Sequence, residues 1–394
     1  SGYQASPEGV LQGDLRQWSK ITLGLEGPLT SEDADIRPQS FNAFMDYRLD
    51  VDFVWQNLTW TVPGYFAADG NAAISGATRG SVWSGEEAAV ANDTRFSNIL
   101  ADVSGEFTVQ ANEGARGRLE RVPGYRYYRW AGTGEWFVKA GADSPENFLS
   151  YADFDNTPDV KGFLKTWQPH VQDWFEGDPE WNGLGKGIIG ALNYLADQGM
   201  NAVSFLTFNV GGDDGAVFPF VSMDSFRRYD VSKLAQWQIV LEHASDLGLF
   251  LHFKTQETEM DRLLDGGSLF SERRLYYREL IARFGYNLAL NWNLGEETTL
   301  TTEELLSYAE YITSIDPYNS PIVVRTYPNQ KELVYAPLLG EMDYAGPSLQ
   351  SRPGDVYSDT FTWVNQSTAT GWPWGVSNDE QSPATRGVLP DAND

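Results

Sequence analysis

Two rhythms in the sequence predict a multidomain chain, an N-terminal β-sandwich followed by an α/β barrel of the (β/α)8 type. Up to about residue 122, short segments alternate polar and apolar residues at period two. From about residue 123, continuous apolar runs alternate with stretches at helical period. The length, 394 residues, agrees, since a domain takes roughly 150 residues.

In the first part, residues 17–23, 47–53 and 105–109 alternate, and Gly27-Pro28, Pro63-Gly64 and Asp69-Gly70-Asn71 separate them. Half-buried antiparallel strands are the expectation, and residues 1–122 form the predicted sandwich. In the second part, 123–394, the buried-strand candidates are 136–140, 202–209, 249–254, 288–294, 322–327, 344–349 and 374–378. Helical stretches lie near 186–199, 231–247, 271–285, 302–314, 329–338 and 355–370. The second of these carries Leu234, Trp237, Val240 and Leu241 on one stripe, with Asp230 or Ser232 to cap it. Thr301, Thr302 and Glu303 read as cap and first turn of another. Even spacing and the lack of a Gly-rich phosphate loop favour a barrel over a dinucleotide-binding sheet. Only residues 380–394 follow the seventh strand, too few for an eighth strand with its helices. The expectation is a barrel completed by residues beyond this sequence, or one closed in an unusual way.

Composition removes several functions. There are 28 Lys and Arg against 55 Asp and Glu, a formal charge of −27, which opposes binding to a phosphate backbone. Neutral or cationic partners suit it better, although a local basic cleft could override the mean. There is no cysteine, hence no disulfide, thiolate metal site or cysteine nucleophile. No apolar run reaches about 18 residues, so no membrane span is expected. The sequence starts at Ser1 without a signal-like stretch, and a removed signal peptide is the expectation.

In an α/β barrel the chemistry sits at the carboxyl ends of the strands. The fourth candidate strand ends Asn291-Trp292-Asn293-Leu294-Gly295-Glu296-Glu297, and the seventh ends Ser377-Asn378-Asp379-Glu380-Gln381. Strands four and seven face each other across a barrel, so their end carboxylates can meet over one substrate. A neutral acid and an ionised carboxylate are what glycosidic cleavage requires. Acidic residues also cap helix N-termini, but that reading does not explain a Trp and two Asn on the same strand. Trp292 is the expected apolar wall that raises the pKa of the acid. Asn209, Asn293, Glu146 and Asn147, at the ends of the second, fourth and first strands, are candidates to bind substrate. So are His252 and Lys254 on the third strand and Arg325 on the fifth.

At these residues a resemblance is visible. Asn293-Leu294-Gly295-Glu296-Glu297 resembles the Leu-Gly-Asn-Glu acid/base motif of clan A glycoside hydrolases, and Asn378-Asp379-Glu380-Gln381 resembles their nucleophile motif. The N-terminal half is similar to the immunoglobulin-like domain that precedes such barrels in bacterial polysaccharide-degrading proteins. Leu25-Glu26-Gly27-Pro28, Tyr47-Arg48-Leu49-Asp50-Val51 and Pro63-Gly64-Tyr65-Phe66-Ala67-Ala68-Asp69-Gly70 carry that likeness. Residues 131–155, 251–259 and 276–280 extend it over nearly the whole chain. The resemblance implies a retaining hydrolase with Glu297 as acid/base and Glu380 as nucleophile. It implies a polysaccharide substrate, with a marine or algal polymer as a guess, and a secreted, periplasmic or cell-surface location in a bacterium. It implies no cofactor or metal, and oligomeric state stays open. The chain departs from the pattern in three places. Glu296 stands where the clan has Asn, which leaves Glu296 as an alternative acid/base. The sandwich lacks a Trp-containing strand ending in Phe-x-Pro, residues 78–104 reading poorly there, and the eighth strand is missing. A carbohydrate-binding protein without catalysis, or a polysaccharide lyase, are the rival readings.

Other candidates weigh less. His243 reads as a packing residue, and His170 beside Trp167 and Trp174 as either structural or cleft-lining. No spacing fits zinc, and no nucleophile elbow supports a serine triad. Asp213-Asp214 beside Gly211-Gly212 could hold Ca²⁺, though a solvated acidic loop is commoner. Trp167, Trp174, Trp181, Trp292, Trp372 and Trp374 could stack on sugar rings or fill a large core. Lys254 and Arg325 could recognise sulfate or carboxylate on a sugar, or pair with neighbouring acids.

Overall fold

The computed structural model describes residues 4–32, 42–75, 79–84, 103–143, 145–160, 162, 164–212 and 215–381. The second rhythm corresponds to a seven-stranded, wholly parallel sheet. Its strands are β10 (Gly141–Ala142), β11 (Ala202–Leu206), β12 (Phe250–Lys254), β13 (Leu290–Asn293), β14 (Ile322–Val324), β15 (Tyr344–Ser351) and β16 (Ser377–Gln381), each paired with the next. The crossover helices are α2 (Lys186–Asp197), α3 (Val231–Asp246), α4 (Ser271–Phe284), α5 (Thr302–Ile315), α6 (Lys331–Tyr335) and α7 (Val356–Ala369). The sheet curls far enough for Lys139, just before β10, to reach Asp379 on β16 at 2.5 Å. The expectation of a closed eight-stranded barrel is therefore corrected to an open sheet of seven among the described residues.

Local chemistry explains these elements. Asp230 caps α3 by accepting from the Lys233 N–H at 2.9 Å, and Leu234, Trp237, Val240 and Leu241 are all buried. Thr301 caps α5 and forms a reciprocal capping box with Glu304. β11 and β12 are buried throughout, the continuous apolar reading of a strand covered on both faces. The predicted first strand, 136–140, divides. Trp136–Phe137 is β9, third strand of an antiparallel sheet with β7 (Leu119–Arg121) and β8 (Tyr128–Trp130), and the parallel sheet begins only at Gly141. That small sheet buries Leu119, Trp130 and Phe137 against Ala202, Phe250 and Ala289, plugging the amino-terminal end of the parallel strands. The carboxyl ends are left as the functional end.

The β-sandwich expected over residues 1–122, and its immunoglobulin-like character, are overturned. What stands there is a four-stranded sheet, in the order β1 (Val10–Gly13), β2 (Ile21–Ser31), β6 (Arg79–Ser84) and β5 (Tyr65–Phe66). A separate hairpin of β3 (Asp50–Trp55) and β4 (Leu58–Pro63) and a short helix α1 (Ala72–Ser75) complete it. A period-two pattern shows half-buried strands but not what covers them. Here the cover is the helical layer of the parallel sheet. Leu25, Phe44, Leu49 and Phe66 belong to one continuous core with Tyr229, Trp237 and Tyr276. Residues 105–109, expected as a strand, are irregular, and only Gln110 forms an isolated bridge, to Arg16. Most of the poorly reading stretch 78–104, and the Asp213-Asp214 loop, lie outside the described residues.

Arg283 of α4 ties the two parts together. Its buried guanidinium donates to Glu279 at 3.0 Å and to the Phe66 carbonyl at 2.9 Å, and lies over the Tyr65 ring. Arg283→Ala strands a buried carboxylate and should destabilise the protein by about 3–5 kcal/mol, read by chemical denaturation. A change below about 1 kcal/mol would show that the contact carries no load.

Candidate active site

The parallel register sorts side chains into two faces. Leu251 and Phe253 of β12 point to the helices, and His252 and Lys254 point inward, level with Asn291 and Asn293 of β13. Arg325 follows β14, and Gln350 of β15 pairs with Glu380 of β16. Successive strands thus deliver Lys254, Glu296 and Glu297, Arg325, Gln350 and Glu380 to one end of the sheet, and Asp143 and Glu146 arrive from the segment after β10.

Two irregularities place the acids. The β15–β16 register slips by one residue, Leu349 facing Asn378 and Gln350 facing Glu380, so that Asp379 is the extra residue of a bulge. Consecutive residues of one strand therefore both act inside. Asp379 meets Lys139 at 2.5 Å and lies 3.8 Å from His252, and Glu380 meets Arg325 and Gln350. After β13, Glu297 has φ of 50°, the left-handed region that costs a non-glycine residue strain. This turn lets the adjacent Glu296 and Glu297 face the same site from different directions.

Lys254 and Arg325 are the buried centre, with side chains 0% and 1% exposed. Lys254 contacts Asp143 at 2.9 Å, Glu146 at 2.8 Å and Glu296 at 3.1 Å. Arg325 contacts Glu146 at 3.1 Å, Asp143 at 3.3 Å, Glu296 at 2.5 Å and also Glu380. Burial disfavours both cations, but the ring of carboxylates more than offsets it and raises both pKa values. Burial would raise Asp143 and Glu146 likewise, yet Lys254 and Arg325 hold both low. Four carboxylates face two cations, and the surplus charge falls on Glu296, whose pKa burial drives well above the ordinary range despite Arg325.

Glu297 is half-buried and differently connected. The Gln350 amide nitrogen donates to a Glu297 oxygen and to a Glu380 oxygen, each at 2.8 Å. The two oxygens therefore lie at most twice that distance apart. The Tyr327 hydroxyl lies close enough to Glu297 for the carboxylate to raise its pKa, after burial. Beneath them runs a second set of contacts. Lys139 reaches His252 Nδ1 at 2.8 Å, and His252 Nε2 lies 3.0 Å from the Asn293 amide. Burial, then Lys139, push His252 far below its usual value, while Lys139 outweighs burial and holds Asp379 well below the ordinary carboxylate range.

Of the residues singled out in the sequence, the structure brings together Glu146, Lys254, Glu296, Glu297, Arg325 and Glu380, with His252 and Asn293 below them. Asn147 and Asn209 bond each other at 3.2 Å beside Glu146. Trp292 is not in the site. Its ring packs on Phe253 toward the helices, and its indole donates to Asp316 at 3.0 Å. Trp167, Trp181 and Trp374 are buried in the core, Arg121 covers Trp372 and Lys186 covers Trp174. His243 bonds Asn193 at 2.7 Å and His170 bonds Asp173 at 3.0 Å, both away from the site. Sequence reasoning missed Gln350, Tyr327, Asp143, Asp379 and Lys139. Their signal was position at strand ends, which a scan for acid motifs passes over.

No protein-family model matches the chain, and no curated protein is detectably similar to it. Solved structures are. A candidate glycoside hydrolase from Bacteroides vulgatus ATCC 8482 aligns over 94% of this chain and 64% of its own length, with 13% identity and TM-score 0.58. A family 5 glycoside hydrolase from the same organism aligns over 54% of this chain and 39% of its own, at 15% identity and TM-score 0.38. The endo-1,4-beta-mannanase of Rhizomucor miehei aligns over 64% and 78%, at 11% identity and TM-score 0.40. This chain spans about two thirds of the first protein's length. The first likeness shows a glycoside hydrolase-like fold.

Glu257, at the rim beyond β12, gives a test of these electrostatics. Burial, helped by Glu146, pushes its carboxyl up to about 8 from 4.5. The folded state then holds a proton that the unfolded chain releases, so this contribution is complete at acid pH and is lost as pH rises through about 8. Glu257→Gln keeps an oxygen for the Thr258 N–H. It should flatten the decline of Tm between pH 4.5 and 8 and exceed the wild type above that window. An unchanged Tm profile would contradict the assignment.

Proposed function

We propose that this chain is a retaining glycoside hydrolase acting on a polysaccharide, with Glu297 as acid/base and Glu380 as nucleophile. The supporting observation is the Gln350 amide held between the two carboxylates. Its two contacts keep the oxygens below the separation of about 6.5–9.5 Å that an inverting site needs to admit water. A retaining pair sits about 5–5.5 Å apart.

In this reading Glu297 donates a proton to the glycosidic oxygen as Glu380 attacks the anomeric carbon. The carbon–oxygen bond to the leaving sugar breaks and a glycosyl ester on Glu380 forms. Water, giving a proton back to Glu297, then cleaves that ester and regenerates both groups. Arg325 and Gln350 orient Glu380, and Tyr327 and Gln350 orient Glu297. Glu296 is unsuited to the acid role, because it is buried and both its oxygens are taken by Arg325 and Lys254. We place the catalytic unit in residues 123–394, with 1–122 as a supporting part that shares its core, and the protein outside the bacterial cytoplasm.

Screening against a polysaccharide panel with mass spectrometry of products tests the reading. Glu297→Gln and Glu380→Gln should each lower kcat by about 10²–10⁴-fold while the ligand is still bound. Cleavage unaffected by either change, or binding with no turnover in the wild type, would overturn it. An unsaturated product absorbing in the ultraviolet would instead identify a lyase. Gln350→Ala should lower kcat more than it raises KM, by about tenfold or more, because it loosens the pair without removing either group.

A further inference from the structure

The two cations of the site lie beneath its acids. Lys254 and Arg325 side chains are 0% and 1% exposed, while Asp143, Glu146 and Glu380 side chains are 17%, 28% and 19% exposed. What reaches the cleft is therefore the carboxylate layer. The donors below it are used up. The Lys254 ammonium meets Asp143, Glu146 and Glu296, and the terminal nitrogens of Arg325 meet Asp143, Glu146, Glu296 and Glu380. Only Arg325 Nε has no partner, and it has no exposed surface either. Lys139, the third cation on the inner side, is bound to Asp379 and His252. Glu297 and the exposed Glu259 add further acid at the rim.

We propose that the subsite next to Glu380 takes a sugar without anionic substituents and rejects one carrying sulfate or carboxylate there. This rests on the glycoside hydrolase reading and narrows it, and it reverses the expectation that Lys254 and Arg325 receive such a group. An anionic substituent would have to displace a carboxylate from a buried cation, or lie unpaired against Asp143, Glu146 and Glu380. Like charges in contact oppose binding strongly. Because the opposing acids are part-exposed, salt should weaken the rejection.

The test offers xylan, mannan and galactan, each plain and after chemical sulfation. For whichever backbone is cleaved, kcat/KM should be at least about tenfold higher on the plain polymer at low salt, the gap narrowing as salt is added. Equal or faster cleavage of the sulfated form would overturn the proposal. A second arm needs no turnover. Glu297→Gln should be retarded by the plain polymer in affinity electrophoresis and not by its sulfated form, and equal retardation by both would overturn the proposal. If the plain polymers are bound selectively but none is cleaved by the wild type, the hydrolase reading fails and the rejection of anions stands.

Discussion

The neutralisation of two buried cations by four carboxylates organises the functional end of this molecule. Lys254 and Arg325 stay charged with almost no contact with water because Asp143, Glu146, Glu296 and Glu380 surround them. Those partners come from the segment after β10, the turn after β13 and strand β16. The ion cluster joins the neighbouring strands β12, β13 and β14 to β10 and β16, which stand at opposite edges of the sheet. Removing one member exposes the others to an uncompensated charge, so the cluster acts as a unit rather than as separate bridges.

The rest of the fold serves that cluster from two sides. Below, the β7–β9 sheet packs Trp130 and Phe137 against the amino-terminal ends of the parallel strands, opposite the end where the acids stand. Outside, Tyr65 and Phe66 lie against α3 and α4, with Gln238 and Arg283 reaching across to them. Among the described residues, Trp130, Trp167, Trp181, Trp237, Trp292, Trp363 and Trp374 are buried in packing. Trp292 shows why. It alternates with Asn291 and Asn293 along β13, and the pleat that turns Asn293 inward turns Trp292 out.

The parallel strands and their helices were legible because continuous apolar runs and amphipathic stretches report burial directly, and the boundaries of α3, α4 and α5 lie within a residue or so of those read from the pattern. The sandwich was misread because alternation at 47–53 reports one buried face without naming what buries it. The acids at 296, 297 and 380 were legible from their place at strand ends. Gln350 was not, because an amide following an apolar strand carries no distinctive chemistry until its partners are known. Nor was the inward turn of both Asp379 and Glu380, since strict alternation would send one of them to the helices.

That slipped register has an evolutionary side. Asp379 is the extra residue by which the strand turns two consecutive acids to the interior while Asn378 bonds Thr360 of α7. Deleting Asp379 would restore regular pleating and leave Glu380 opposite Gln350, but it would remove the carboxylate that meets Lys139. A descendant that kept Glu380 in place but lost the Lys139–Asp379 contact is therefore a single in-frame deletion away, and chains of similar architecture can be sorted by whether this extra residue is retained.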